Sequence, residues 1–325
     1  MRIFCLTLLS VLLFSSCGDN DGKRDTSYLP QSLGTINSLQ VIITNELWND
    51  SVGETIREYF AAPTHGLPQD EPLFSMNQMP PSTYTGFARK NRLFLYVTLD
   101  ETEGVRIAQD KYSKPQTGAF VSAKDEASLI TLIRENHQRI IDTFKYSEIK
   151  ERQRRTNISL LKPDSLEEKF GVSLRIPSAY RVAKKSDDFY WLRKDLKSGS
   201  TNIIIYEVPL SLIGKDSAVI GDIIKIRDSI GGSLMPVEDE GRFQTEEAYA
   251  PYLFTSEIDG KFAYETKGTW DVKDQYMAGP FLNYAIKDEE NDRYLILEGF
   301  TYAPSEKKRD LQFELESILK SAKIQ

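Results

Sequence analysis

Phe262-Ala263-Tyr264-Glu265-Thr266-Lys267-Gly268-Thr269-Trp270 reads as one β-strand. Phe262, Tyr264, Thr266, Gly268 and Trp270 point one way. Ala263, Glu265, Lys267 and Thr269 point the other, as a period of two requires. The strand therefore has an aromatic face. Residues 281–286 and 294–302 follow as a hairpin across Asp288-Glu289-Glu290-Asn291. Upstream, 172–176, 189–193 and 202–208 are further strands. Ile203-Ile204-Ile205 has no polar side, which predicts a central strand buried on both faces. Helices are expected at 164–170 with Gly171 as its stop, and at 218–230 with Gly231-Gly232 as its stop. A closing helix opens at Pro304-Ser305-Glu306 and turns Leu311, Leu315, Ile318 and Leu319 inward. Hairpin strands with segregated helices predict an α+β fold with mainly antiparallel sheets.

The first half reads similarly. Residues 39–43 and 92–97 are strands, and 105–112 and 117–122 are two more joined by a turn at Pro115. Ser51-Val52-Gly53-Glu54 has capping-box spacing before a helix with Val52, Ile56, Tyr59 and Phe60 on one face. Ser122-Ala123-Lys124-Asp125 has the same spacing. It introduces a long helix carrying Leu129, Ile130, Ile133, His137, Ile140, Ile141 and Phe144 to about Arg155. Pro163 and Asp164 then mark a fresh start. The expectation is two α/β layered domains, 36–160 and 161–325, with helices packed on their sheets.

Residues 63–86 stand apart. Pro63, Pro68, Pro72, Pro80 and Pro81 oppose regular structure, yet the stretch is rich in apolar residues. A long loop of this kind inside a domain is functional or pinned to the core. Phe74, Met76, Met79 and Tyr84 are the candidate partner-binding residues, because methionine and aromatic side chains suit adaptable contacts.

The N-terminus has the form of an export signal. Arg2 precedes an apolar run from Ile3 to Phe14, and Ser15-Ser16-Cys17 ends it. About a dozen apolar residues fall short of the ~20 that span a bilayer. Residues 1–17 are read as a lipoprotein signal with Cys17 as the lipidated residue, and 18–35 as a flexible tether. Asp19 and Asp21 resemble surface-export signals of Gram-negative lipoproteins. The expected location is the cell envelope, anchored to the outer membrane on its periplasmic or surface face.

Composition excludes several classes. The chain has 41 Lys+Arg against 48 Asp+Glu, a formal net charge of −7, which disfavours nucleic acid. Its one basic cluster, Lys145, Lys150, Arg152, Arg154 and Arg155, complements a helix C-terminus. The two cysteines, Cys5 and Cys17, both lie in the export segment, so no thiol chemistry is expected beyond it. Two histidines, His65 and His137, are too few for a usual zinc site. No nucleophile elbow, phosphate loop or paired-histidine motif occurs. Glu238-Asp239-Glu240, Glu246-Glu247 and Asp288-Glu289-Glu290 read as loop charge. No cofactor, metal or catalytic residue is expected.

Asn45-Glu46-Leu47-Trp48, the stretch from Arg57 to Pro63 continuing through Gly66-Leu67-Pro68-Gln69 and Glu71-Pro72-Leu73-Phe74, and Gly86-Phe87-Ala88-Arg89-Lys90 resemble an uncharacterised lipoprotein family of the Bacteroidota. So do 189–193, 202–207 and the segment from Tyr264 to Trp270. The resemblance implies a Gram-negative envelope and a tethered two-part protein, and transfers no catalytic residue. The second half resembles the PsbP/Mog1-like α/β/α fold in the hairpin strand from Tyr294 to Ala303-Pro304 followed at once by a helix; fold alone gives no function. The reading is a non-enzymatic binding or assembly module tethered to the membrane, with an envelope protein or glycan as partner. The alternatives are a carboxylate-based hydrolase of envelope glycan or peptide, and a lipid or small-ligand carrier.

Overall fold

The computed structural model describes residues 28–163, 165–235, 237 and 241–325. Cys17, the export signal, the first part of the tether and Glu238-Asp239-Glu240 lie outside the described residues. The fold is α+β, with sheets that are mostly antiparallel.

The first half contains β1 (Ser38–Ile42), α1 (Asn45–Trp48), α2 (Ser51–Phe60), β2 (Ser75–Met79), β3 (Leu93–Leu99), β4 (Gly104–Gln109), β5 (Thr117–Ala123) and α3 (Glu126–Thr156). Its sheet runs β2-β1-β3-β5-β4. Only β4 is antiparallel to its neighbour, so this sheet departs from the antiparallel expectation. The helices α2 and α3 cover one face, burying Leu39, Val41, Leu93, Leu95, Ile56, Ile133 and Phe144. Each such side chain removed from water contributes ~1.5–3 kcal/mol. On the other face Ile42 and Phe94 pack under Tyr84.

The stretch 63–86 is not an open loop. Residues 75–79 form β2, parallel to β1, with Pro72 and Pro80 flanking the strand rather than interrupting it. Phe74 is 1% exposed and lies in the main core, and Tyr84 is 2% exposed in the second layer. Met76 and Met79 are half-buried against the same two clusters. These four residues are therefore core or core-edge groups, because the apolar stretch supplies the sheet's lid and edge.

The caps also shift. Asp50, not Ser51, caps α2 by accepting from Ser51 N at 2.7 Å. Asp125, not Ser122, caps α3 by accepting from Ser128 N at 2.8 Å. Carboxylates win because they accept from orphan N–H groups and also meet the positive end of the helix dipole. The far end of the expected tether is docked. Lys114 N donates to Pro30 O at 2.9 Å, Leu33 N to Lys90 O at 2.8 Å, and Arg92 N to Leu33 O at 2.9 Å.

The second half contains β6 (Leu160–Leu161), α4 (Leu166–Phe170), β7 (Val172–Ser173), β8 (Ile176–Pro177), β9 (Arg181–Lys185), β10 (Phe189–Leu196) and β11 (Gly199–Pro209). Then come α5 (Val219–Leu234), β12 (Phe243–Thr245), β13 (Tyr252–Ile258), β14 (Lys261–Val272), β15 (Ala278–Asp288), β16 (Arg293–Tyr302), α6 (Arg309–Leu319) and β17 (Lys323–Ile324). Its antiparallel sheet runs β12-β14-β15-β16-β11-β10-β9, with β13 also on β14.

Strand β11 is central, as its isoleucines require. Ile203 and Ile205 enter the core beneath α4 and α6, while Ile204 enters the core beneath α5. The aromatic face of β14 holds in part. Trp270 is buried, 5.0 Å from the ring of Phe243, whereas Phe262 is 43% exposed. Helix α5 runs through Gly231-Gly232 instead of stopping there. A Cβ at Gly231 would lie 2.5 Å from the Phe243 ring, so glycine there admits the ring rather than ending the helix.

Candidate functional site

The two sheets meet through the loop between α2 and β2. Thr64 N bonds to Glu71 O at 2.8 Å and Leu73 N to Ala62 O at 2.9 Å, pinching residues 64–71 into a tongue. The tongue lies on the second half. His65 packs 4.6 Å from Tyr252 and 5.5 Å from Phe254. Gly66, at φ +79, passes so close to β14 that a Cβ would sit 2.9 Å from Lys267 Cβ.

Glu71 caps a helix in the other half. α6 begins at Arg309, later than Pro304 suggests, and Lys308 offers no side-chain cap. Instead Glu71 Oε1 accepts from Lys308 N at 2.6 Å and Oε2 from Arg309 N at 3.1 Å. Arg309 returns Nη1 to Pro72 O at 3.0 Å. His65, Glu71 and Pro72 thus pack this stretch on the second half of the same chain. Glu71→Ala removes a charged cap and should cost about 1–2 kcal/mol in thermal or urea unfolding.

Beside this tongue a cleft of about 530 Å³ opens between the halves. Tyr59, Pro63, His65 and Leu73 form one wall. The α3 face supplies His137, Ile141 and Lys145. Phe254, Glu265 and Lys267 come from β13 and β14, and Glu316 and Lys320 from α6. A smaller pocket of about 40 Å³ adjoins it, sharing His65, Lys145, Lys267 and Glu316 and ending at Asn37 and Gln312. The tongue and the interior sides of α3, β14 and α6 thus converge on one charged chamber.

Its charges do not balance. Lys267 Nζ lies 2.6 Å from Glu265, and Lys320 Nζ lies 3.0 Å from Glu316 and 3.9 Å from Glu265. Among the described residues no carboxylate oxygen lies within 4.0 Å of Lys145. Three lysines thus face two glutamates. Asp142, at the exposed lip, accepts from Gln138.

The titration directions follow. Burial pushes the Lys145 ammonium down, and the neighbouring Lys267 adds to that against the pull of Glu316 and Glu265. Burial would also lower Lys267, but Glu316 and Glu265 outweigh it and hold Lys267 up. Burial would raise Glu316, yet Lys267, Lys320 and Lys145 keep it well below the usual carboxylate range. His65 is lowered by burial, then by Lys267 and Lys145. The Lys145 side of the chamber therefore favours a further negative charge, whereas Lys267 and Lys320 are already held charged by the glutamates.

Other candidate groups settle elsewhere. His137 is a boundary residue: partly buried, it stacks 3.9 Å from Tyr59 and stands at the cleft rim. The basic run of α3 is paired as well as terminal: Arg154 and Arg155 hold Glu151, and Arg152 holds Glu314. Asp288 is buried, held by Lys261 and Arg293, each at 2.9 Å, and anchors the hairpin turn. Burial and Glu246 raise the Asp271 carboxyl, but neither residue lines the cleft. Among the described residues no group of three or more His, Cys, Asp or Glu is arranged to hold a metal ion, and no helix is long and apolar enough to cross a membrane.

Sequence reasoning named Lys145 only as part of a helix-end cluster and passed over Glu265, Lys267, Glu316 and Lys320 as site residues. The one local signal was Glu265 and Lys267 on the inward side of β14, two charges where Ala263 predicts an apolar face.

Comparison with known families gives two adjacent matches. Residues 32–157 match a domain of unknown function (DUF8532), and residues 159–321 match a domain of unknown function (DUF4837). No curated protein matches the chain. The second match spans half of the chain, which therefore belongs to the uncharacterised family defined by the domain of unknown function DUF4837.

Proposed function

We propose that this protein is a lipid-anchored binding module of the Gram-negative envelope, held to the outer membrane through Cys17, which takes up a small anion with an apolar body in the cleft between its halves. One observation carries the reading: Lys145 is a largely buried cation facing a cleft, and among the described residues no carboxylate oxygen lies within 4.0 Å of its ammonium, Glu316 and Glu265 acting on it only from further off. A buried charge without a partner is costly, and a ligand carboxylate or phosphate supplies that partner. Tyr59, Leu73, Ile141 and Phe254 suit an apolar body. The lipobox and the resemblance to Bacteroidota lipoproteins support the location. The hydrolase reading is weaker on this geometry. A general acid needs a raised carboxyl, whereas Glu316 is held ionised and Glu265 is paired with Lys267.

The test uses anilinonaphthalene sulfonate, an apolar anion that fluoresces when bound out of water. Lys145→Met should weaken its binding about 10–100-fold, the equivalent of one charged hydrogen bond of ~1.5–3 kcal/mol. Affinity for the wild type should fall as pH rises, because Lys145, with its lowered pKa, loses its proton before an ordinary lysine. Equal binding by wild type and variant would place the probe elsewhere and remove support for the cleft.

A further inference from the structure

The surface around Phe87 carries a second inference. Phe87 is 75% exposed on a short turn, Gly86–Lys90. The turn itself is rigidly held. Gln116 Nε2 donates to Arg89 O and to Asn91 O, both at 2.7 Å, and Asn91 Nδ2 donates to Ala88 O at 3.0 Å. Ser113 Oγ donates to Lys90 O at 3.2 Å. A large apolar ring is thus displayed to solvent from a fixed base, with no fold contact that requires it.

Cations occupy the same turn and the one adjoining it. Lys90 Nζ lies 5.9 Å from the Phe87 ring, and the Arg89 guanidinium is fixed by Tyr84 O at 2.9 Å above the Tyr112 ring. Lys114 is exposed on the adjoining turn. Among the described residues none of Arg89, Lys90 or Lys114 has a carboxylate within 4.0 Å. This is a local basic patch on a chain of net charge −7.

The patch is also where the N-terminal segment joins the fold. The segment from Pro30 to Leu33 is hydrogen-bonded to Lys114 and Lys90, and Tyr28, just before it, is 89% exposed. Ten residues lie between Cys17 and Tyr28, eleven steps along the chain, which bounds their separation at about 40 Å at full extension. A lipid on Cys17 would therefore hold the point where the chain enters the fold, beside this face, within about 40 Å of the bilayer.

We propose that the Phe87 face is the membrane-docking surface: Phe87 and Tyr28 enter the headgroup layer while Arg89, Lys90 and Lys114 meet anionic lipid headgroups. The proposal rests on lipid attachment at Cys17. Aromatic rings favour the interface, and lysine and arginine near an anionic leaflet are attracted to it. The acidic remainder of the chain is repelled by the same leaflet, so the patch fixes an orientation rather than only adding affinity.

The experiment takes the full lipoprotein, produced in a host that processes such signals, and reconstitutes it on phosphatidylglycerol-containing vesicles with brominated lipid as quencher. A polarity-sensitive dye is attached at Phe87→Cys, or at Tyr276→Cys as the control, since Tyr276 is fully exposed in the second half. The expected result is a blue shift and several-fold loss of emission at position 87, with neither at 276, and a weaker effect on phosphatidylcholine alone. Vesicle-bound protein with both positions unquenched would overturn the docking face while leaving the anchor intact. Equal quenching on phosphatidylcholine would overturn the role given to anionic lipid. Failure to float with vesicles, with dye attached to Cys17 in the unsubstituted chain, would overturn the anchor itself.

Discussion

Glu148→Ala is expected to destabilise the protein by about 3–5 kcal/mol, a large part of the ~5–15 kcal/mol typical of a folded domain. Glu148 and Arg92 are buried, with side chains 0% and 2% exposed. Arg92 Nε donates to Glu148 Oε1 at 2.5 Å and Nη2 to Oε2 at 3.0 Å. Glu148 Oε2 also accepts from Asn37 N at 2.6 Å, and Arg92 donates further from Nη1 to Gly34 O and from Nη2 to Thr35 O. One pair therefore ties α3, β3 and the incoming N-terminal segment. Alanine leaves a guanidinium buried without its counter-charge, which costs more than the pair itself contributes. The double variant Arg92→Met with Glu148→Met should lose less than Glu148→Ala alone. Urea unfolding of the three proteins measures this, and a Glu148→Ala loss under about 1 kcal/mol would contradict the burial argument.

Glu314→Ala is the second large effect, expected at about 2–3 kcal/mol. Glu314 on α6 receives Arg152 from α3, Lys194 from β10 and the Tyr180 hydroxyl, the last at 3.1 Å. Arg152 and Lys194 are 29% and 15% exposed, so solvent offsets part of the loss. Removing the shared carboxylate leaves two cations facing each other at the joint between the halves. Beyond the loss of stability, the halves should uncouple. Tryptophan fluorescence, with Trp48 in the first half and Trp191 and Trp270 in the second, should then give an unfolding transition that no longer coincides with that from circular dichroism. Coincident transitions with a shift below about 1 kcal/mol would show that Glu71, together with Gln153 of α3, whose Nε2 donates to Ser317 O of α6 at 2.9 Å, carries the joint without it.

Where a pattern is local and complete, the sequence is readable. Ile203-Ile204-Ile205 demands apolar surroundings on both sides, and the two cores on either face of β11 supply them. The hairpin across 288–291 follows from its flanking alternation. Signals with two meanings are less readable. Gly231 looks like a helix stop, but it is a site of close approach by Phe243, a residue twelve positions on. Pro72 and Pro80 look like breaks, but they bracket a parallel strand that no hairpin signal announces. Phe74 and Tyr84 look like contact residues because an apolar side chain does not disclose whether its neighbour is its own core. The cleft is the extreme case. Lys145, Lys267 and Glu316 come from three elements far apart in the chain, and only the docking of α3 against α6, with β14 across the cleft, assembles them.

The central claim is that the cleft at Lys145 holds a small anion. Native mass spectrometry of the lipoprotein extracted from its own membranes in mild detergent tests it most directly. The wild type should carry a discrete small adduct, shed as an anion on collisional activation, and folded Lys145→Met should arrive without it. A bare wild-type mass, or the same adduct on both proteins, would contradict the claim.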